Sequence, residues 1–485
     1  MTPPRERGVE DGFPTNRPWW PVTAESQRTL GTVLSLQGVE MSKIASGLQA
    51  RIRMVVFAGL ACLSLQAHTA PLQLQINGSN TIGARLAPLL VEGMLQESGA
   101  TDIQLQLNPD TQEHRISAIS AQAEPIEISL NAHGSSTGFT ALIDQTGQIA
   151  AASRPIKDSE VEALKDAGDM RSKVAEQIIG LDGLAVIVHP ENPISTLDVE
   201  QIARIFSGQV TDWAQLGGQQ GEIRPHARDG NSGTWETFRD LVLTPRQLDL
   251  QADAQRYESN AALSAAVSSD PNAIGFVGLA SVEQAKALAV SAGDSRAMLP
   301  SKELVATEDY PLSRRLYMYS SPEESNPLAQ ALVTFTQSQA GQEIVDQVGF
   351  VGQNITAMQV TPQPYMPDEY RTLAEEAQRL SFNIRFTEGS ARLDNKAHQD
   401  IDRLLDYLHA QGKTQNKVVL VGFGDPRQRG AELLSRLRAM TVRAALVGHG
   451  IFVKDTIGIG DDLPVAANTD DDGRFKNRRV ELWVY

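Results

Sequence analysis

From Leu72 to about Ile355, short strand-like runs (LQLQI, IEISL, LAVIVH, AIGFVGL) alternate with stretches of helical periodicity. That alternation predicts an α/β architecture with parallel strands. A sheet of this kind collects its strand-to-helix turns on one rim, which is where such folds take up ligands. Four of the turns share one chemistry: NGSNTIG at Asn77–Gly83, GSSTG at Gly134–Gly138, AASRPIKDSE at Ala151–Glu160 and RDGNSGTWETF at Arg228–Phe238. In the last, Ser232-Gly233-Thr234 opens a helix, so free N–H groups, hydroxyls and the positive dipole end would meet an anion, with Arg228 adding a charge-assisted contact. The same letters also spell a turn followed by an N-capped helix. Ser135 and Ser136 can be read as caps in the same way, and Arg154 as a solvated surface charge.

The chain has 485 residues, enough for two or three domains, and a net charge of -16. That sign argues against nucleic acid or an anionic membrane as partner. An anion would have to be held by local geometry, since the overall field repels it. MVVFAGLACLSL at Met54–Leu65 is too short to span a bilayer, and Lys43, Arg51 and Arg53 before it with small residues around Ala67 and Ala70 after it form the pattern of a secretory signal peptide. Its internal position is explained if Met41 is the start and the Pro- and Arg-rich segment ahead is translated upstream sequence or a disordered extension. Cys62, the single cysteine, falls inside the apolar run, and Gly59 argues against a lipobox; cleavage near Ala67 or Ala70 would leave a mature protein with no thiol chemistry.

The prolines at 362, 364 and 367 mark a semi-rigid linker. Beyond it FNIRF, a helix around Ala397–Ala410, KVVLVGFG, a helix around Ala431–Val447 and RRVELWVY read as one small α+β unit. On the second helix, at about 100° per residue with Leu434 as zero, Ala439, Val442 and Leu446 fall between roughly 80° and 140° and Arg438 near 40°. Arg438 therefore points inward and needs a partner, whereas Arg436 and Arg443 lie on the opposite face. Along the last strand Arg478 shares a face with Val480 and Leu482, and Arg479 with Glu481.

The four loops, together with IFSGQVTDW, AIGFVGLA and AGQEIVDQVGFV, resemble the phosphate-binding proteins of ABC transporters over Pro71–Gln353. The resemblance implies a type II periplasmic binding-protein fold, two α/β lobes closing over a dehydrated phosphate. It implies phosphate contacts from Ser79, Thr81 and the Ile82 backbone, from Ser135, and from Arg228, Ser232, Gly233 and Thr234. Some members carry an aspartate in the third loop that reads the phosphate proton. Here Ser153 and Arg154 stand there, which leaves sulfate, arsenate or a phosphate monoester open as ligands. An ABC permease is the further partner the family implies. The GNSGT segment lacks the G-x-S-x-G elbow, no histidine or second acidic residue has a convincing partner pattern for a nucleophile, and no His, Asp or Glu spacing suggests a metal site, His133 and His226 reading as polar loop residues. The expectation is a binding module without enzyme activity, metal or cofactor.

The C-terminal VGFGDPRQRGAELLSRLRAMTVRAALVGHG and NRRVE resemble the OmpA-like peptidoglycan-binding domain. In that family an aspartate and an arginine grip the diaminopimelate of the wall peptide, which implies Asp425 and Arg438, with Arg478 as a ligand-side neighbour. An internal Asp425–Arg438 ion pair is the other reading. Ala431 replaces the family's asparagine, and the loop before Arg438 is short. The expected organisation is an extension at 1–40, a signal peptide at 41–70, a phosphate-binding-protein-like domain at 71–357, a linker at 358–379 and the OmpA-like domain at 380–485. It describes a periplasmic phosphate binder tethered to peptidoglycan and associated with the wall or outer membrane. The alternative is a structural or signalling envelope protein whose binding fold has lost high-affinity capture.

Overall fold

The computed structural model describes residues 70–108, 111, 113–230, 232–386, 392–424, 430–468 and 471–485. The signal-peptide segment and Met41 lie outside these, as does Asp425. Residues Thr69–Tyr485 form one compact unit. Among the described residues no helix is long and apolar enough to cross a membrane.

Two lobes share one continuous path of strands. In the first lobe the order is Thr101–Asn108, Glu113–Ile119, Pro125–Ala132, Leu72–Gly78, Ile149–Ala152 and Ser313–Tyr319. Leu72–Gly78 pairs in parallel with both of its neighbours, but the hairpin at its edge and the Ser313–Tyr319 strand run antiparallel. The sheet is therefore mixed rather than parallel; the few residues separating Asn108 from Glu113 leave no room for a crossover helix. Leu74 and Ile76 alternate inward and pack with Ile128, Leu130, Leu90, Val91 and Leu332 in the core of this lobe.

The thirteen-residue strand Glu176–Val188 is the spine of the molecule. Its first half pairs with Ser313–Tyr319, and its second half with Ala273–Gly278 of the second lobe, which continues to Arg224–Arg228 and Gln255–Tyr257. A strand buried on both faces reads as a continuous apolar run, and Ile178, Ile179, Leu181 and Leu184–Val188 fit that pattern. These two antiparallel strands carry the main β-pairing between the lobes, with the isolated Leu181–Val351 bridge beside them, so they are where the lobes can pivot. Phe206, Phe238, Phe276 and Trp235 centre the core of the second lobe.

A separate five-stranded sheet follows, ordered Ala357–Met358, Gln378–Arg385, Arg479–Val484, Val418–Phe423, Asp455–Gly460. Helices Asn395–Ala410 and Ala431–Gly448 cover one face through Ile401, Leu404, Val442 and Leu446. The other face is covered by the segment expected to be a linker. Residues 358–379 contain the helix Asp368–Glu376, whose Tyr370, Leu373 and Ala374 pack on Val419, Val421, Phe423 and Trp483. Pro367 is its N-cap, where a missing N–H costs nothing, and the i, i+3, i+4 spacing of the three apolar residues outweighs the proline density. The strand Asp455–Gly460 and the helix Asp471–Asn477 add to the expected element order.

Candidate functional site

Ser79 ends the Leu72–Gly78 strand and caps a single helical turn, Asn80–Gly83, accepting from the Thr81 N–H. The chain can turn there because Gly78 has φ +139° and a Cβ would meet Ala151 O at 1.9 Å. Ser135 opens the helix Ser135–Ile143, and Ser153 follows the strand Ile149–Ala152. These three turns are neighbours because their strands are, and the hydroxyls meet: Ser79 Oγ lies 3.1 Å and Ser135 Oγ 3.2 Å from Ser153 Oγ. Ser79, Thr81, Ser135 and Ser153 are all buried.

What they converge on is a carboxylate. Glu236, from the helix Gly233–Phe238 of the second lobe, places Oε2 3.0 Å from Ser79 Oγ and 3.3 Å from Thr81 Oγ1. Its Oε1 accepts from Ser135 Oγ at 3.3 Å and the Ser135 N–H at 3.4 Å. Burial pushes this carboxyl up, but the Arg314 charge and the hydrogen bonds from Ser79 and Ser135 outweigh it and hold it below the usual carboxylate range. Glu236 was not singled out from the sequence. Its signal was available: a glutamate four residues after Ser232 lies one helical turn further along the same face.

The arginine at this cluster is also an unexpected one. Arg314, on the Ser313–Tyr319 strand, donates from Nη2 to Thr81 Oγ1 at 2.7 Å and to Thr237 Oγ1. Its Nε lies 3.5 Å from Asp182 and its Nη1 3.7 Å from Asp240, and neither nitrogen has a hydrogen-bond partner among the described residues. Arg228 instead gives Nε to Tyr257 O at 3.1 Å, Nη1 to Asn260 Oδ1 at 2.7 Å and Nη2 to Glu258 O at 2.7 Å. Arg154 is turned away as well: it forks onto Glu160 at 2.7 and 2.9 Å and reaches Ser136 Oγ at 2.9 Å. Glu160 sits at the start of the helix Asp158–Ala163, where it also accepts from the Lys157 N–H, so it is already fixed to receive the guanidinium.

Arg228, Ser232, Gly233 and Thr234 line a cleft of about 690 Å³, with Thr81 on the same wall system and the acidic Asp182, Asp229 and Glu258 beside them. Ser232 spends its hydroxyl as N-cap, accepting from Trp235 N at 3.3 Å. The Ile82 side chain belongs to the core of the first lobe. Gly233 is a second point of contact between the lobes beside Glu236: its carbonyl accepts from Thr81 Oγ1 at 3.0 Å, and a Cβ there would lie 2.3 Å from Thr81 Cα. Of the ten expected residues, eight fall into a buried hydroxyl cluster around Glu236 and an open cleft wall, joined at Thr81–Gly233, while Arg154 is turned onto Glu160 and the Ile82 side chain lies in the core. His226 is on the strand Arg224–Arg228 rather than in a loop, stacked on Tyr257 with Nδ1 2.8 Å from its hydroxyl.

In the C-terminal domain Arg438 is buried, as its helical angle required, with Nη1 donating to Phe423 O at 3.3 Å and the guanidinium 6.0 Å above the Phe386 ring. Arg478 is buried just before the strand, and its Nε has no hydrogen-bond partner among the described residues. Arg479 lies on the other face and pairs with Glu481 at 2.9 Å.

Two α/β lobes joined by a pair of crossing strands, with donors from strand-to-helix turns gathered between them, define a two-lobed solute-binding fold followed by a small α+β domain. The PBP superfamily domain profile matches residues 97–340, half of the chain, and the OmpA family profile matches 385–478. The chain belongs to the PBP superfamily and carries an OmpA-family domain at its C-terminal end. Phosphate-binding protein PstS of Borreliella burgdorferi is 26% identical over 231 residues, 47% of this chain and 80% of that protein. Protein SphX of Synechococcus elongatus is 30% identical over 238 residues, covering 47% and 69% respectively. Among solved structures, an ABC-type phosphate transport receptor from Vibrio cholerae aligns over 57% of this chain and 99% of its own, at 23% identity and a TM-score of 0.45.

Proposed function

We propose that the chain is a periplasmic binder of inorganic phosphate, held on peptidoglycan by its C-terminal domain. The observation that supports this most directly is the convergence of Ser79, Thr81 and Ser135 donors on the two oxygens of Glu236. A donor set that fits a carboxylate oxygen pair is one that fits an oxyanion. Arg314, with two nitrogens free of hydrogen bonds among the described residues, adds the positive charge, and the name of the PstS relative points to phosphate. In this reading Glu236 takes the part expected of a third-loop aspartate: it accepts the phosphate proton. Capture is reversible and involves no chemistry on the ligand, and a permease is its natural recipient.

The position of Glu236 also favours a second reading, in which the glutamate fills the donor seat permanently and high-affinity capture is lost. Calorimetry of the exported chain with phosphate and with sulfate separates them. Micromolar phosphate binding with no sulfate heat is the expected result; silence with both anions would establish the second reading. Gly233→Ala should weaken phosphate binding by about 1–3 kcal/mol, because the new methyl must push the Thr81 backbone away, as overpacked contacts do. An unchanged Kd would show that the Thr81–Gly233 contact is not part of the bound state.

Wall attachment rests on Asp425, outside the described residues, and on Arg438 and Arg478. Arg438→Ala is expected to release the protein from purified sacculi in a pull-down. Retention equal to the parent's would remove Arg438 from the contact.

A further inference from the structure

The C-terminal domain touches both lobes, and it does so with different chemistry on each. Toward the second lobe, the polar face of its sheet closes over residues 307–311. Arg379 Nη2 donates to Asp309 Oδ2 at 2.7 Å, Arg385 Nε to Glu308 Oε2 at 3.3 Å, and Asn383 Nδ2 to Thr307 O at 2.8 Å and Asp309 Oδ1 at 2.9 Å. These side chains are buried, Arg385 completely. Val465 goes further and joins the apolar core of that lobe.

Toward the first lobe the contacts come from one helix, Asn395–Ala410, and none of them is an ion pair. Asn395 Nδ2 donates to Arg171 O and Glu176 Oε1, both at 3.0 Å, and Gln399 Nε2 to Gln177 Oε1 at 2.7 Å. Arg403 reaches the side-chain oxygens of Gln337 and Gln353 at 3.1 and 3.0 Å. Between the two sets stands Arg315, on the pivot strand Ser313–Tyr319. It pairs with Glu308 at 2.6 Å and with Asp394 of the C-terminal domain at 2.8 Å. Its neighbour Arg314 is the residue that reaches Thr81 at the cleft.

We propose that the C-terminal domain is a brace across the hinge that holds the two lobes closed. Two lobes that pivot about crossing strands cannot separate while a third body grips both. One set of contacts must break. Pulling Asp309 and Glu308 out of their arginines would leave several buried charges uncompensated, whereas the Asn395, Gln399 and Arg403 contacts exchange readily for water. The domain therefore travels with the second lobe, and its Asn395–Ala410 helix is the latch on the first. Exchange of the solute is tied to this latch, so the wall-facing domain and the cleft influence one another.

The test uses the full chain, spin-labelled at Ala84→Cys and Ala280→Cys on a Cys62→Ser background. Both positions are exposed residues that line the cleft. Distances are measured without added anion, so the result does not depend on whether phosphate is the ligand. The parent should show one short distance, and Gln399→Ala with Arg403→Ala should add a second, longer one. Asn395→Ala alone, a milder change, should move the population in the same direction. A parent that shows both distances in the proportion of the variants, or variants that keep the single short distance, would overturn the brace.

Discussion

Replacing Asp309 with alanine is expected to destabilise the chain by about 3–5 kcal/mol, the scale of a buried ion pair that loses one partner. Asp309 lies within 3.8 Å of three guanidiniums: Arg379 at 2.7 Å, Arg385 at 3.7 Å and Arg479 at 3.8 Å. Burial alone would push its carboxyl up, but Arg379, Arg479 and Arg385 outweigh that and hold it below the usual carboxylate range. Remove it, and among the described residues three buried cations keep only Glu308 and Glu481 for compensation. The loss should appear in a urea titration followed by tryptophan fluorescence, since Trp483 is buried in the domain that this network anchors. Asp309→Asn keeps an acceptor and should lose less. If Asp309→Ala unfolded at the parent's midpoint, the junction between the domains would owe its stability to apolar packing such as that of Val465.

This network shows what can and cannot be read from the letters alone. Alternation along RRVELWVY separated Arg478 from Arg479 and put Glu481 with the latter, and the structure keeps that division. Periodicity also turned Arg438 inward. Both are properties of one element, set by backbone geometry. What the arginines pair with is set by tertiary neighbours. Arg379 and Arg385 find Asp309 and Glu308 some seventy residues away in sequence, and no local pattern announces it. The same limit explains the cleft. Ser79, Ser135 and Ser153 of the family loops do lie together, because adjacent strands deliver them. Arg228 and Arg154 were expected at the ligand from their place in those loops, yet each has nearer acceptors, in the 257–260 segment and in Glu160. The charges at the cluster come from the first turn of a helix and from a pivot strand: Glu236 stands within the RDGNSGTWETF segment but past the residues read as its anion contacts, and Arg314 lies outside all four loops. The proline-rich segment before Asp368 was misread for a related reason: proline density marks where a helix cannot extend backward, not whether one follows.

Glu236→Gln should change which oxyanion the protein accepts more than it changes stability. At neutral pH inorganic phosphate still carries a proton and can donate it in a hydrogen bond to a carboxylate, whereas sulfate has none to give. With Glu236 held charged by Arg314, Ser79 and Ser135, a sulfate oxygen brought to the same place meets a like charge at hydrogen-bond distance. Such juxtapositions cost several kcal/mol, so sulfate should be rejected by roughly a hundredfold or more relative to phosphate. Glutamine has nearly the same shape, keeps one acceptor for Ser79 or Ser135, and offers an amide N–H that sulfate can accept. Sulfate binding should therefore appear in calorimetry of the variant while phosphate binding weakens, so the two affinities draw together. A glutamate that merely plugs the seat predicts something different: both anions would gain, because the carboxylate no longer competes for the same donors. A variant that still binds phosphate and still gives no heat with sulfate would sink the proton-reading role, and selectivity would then have to come from the fit of Ser79, Thr81, Ser135 and Arg314 around the anion.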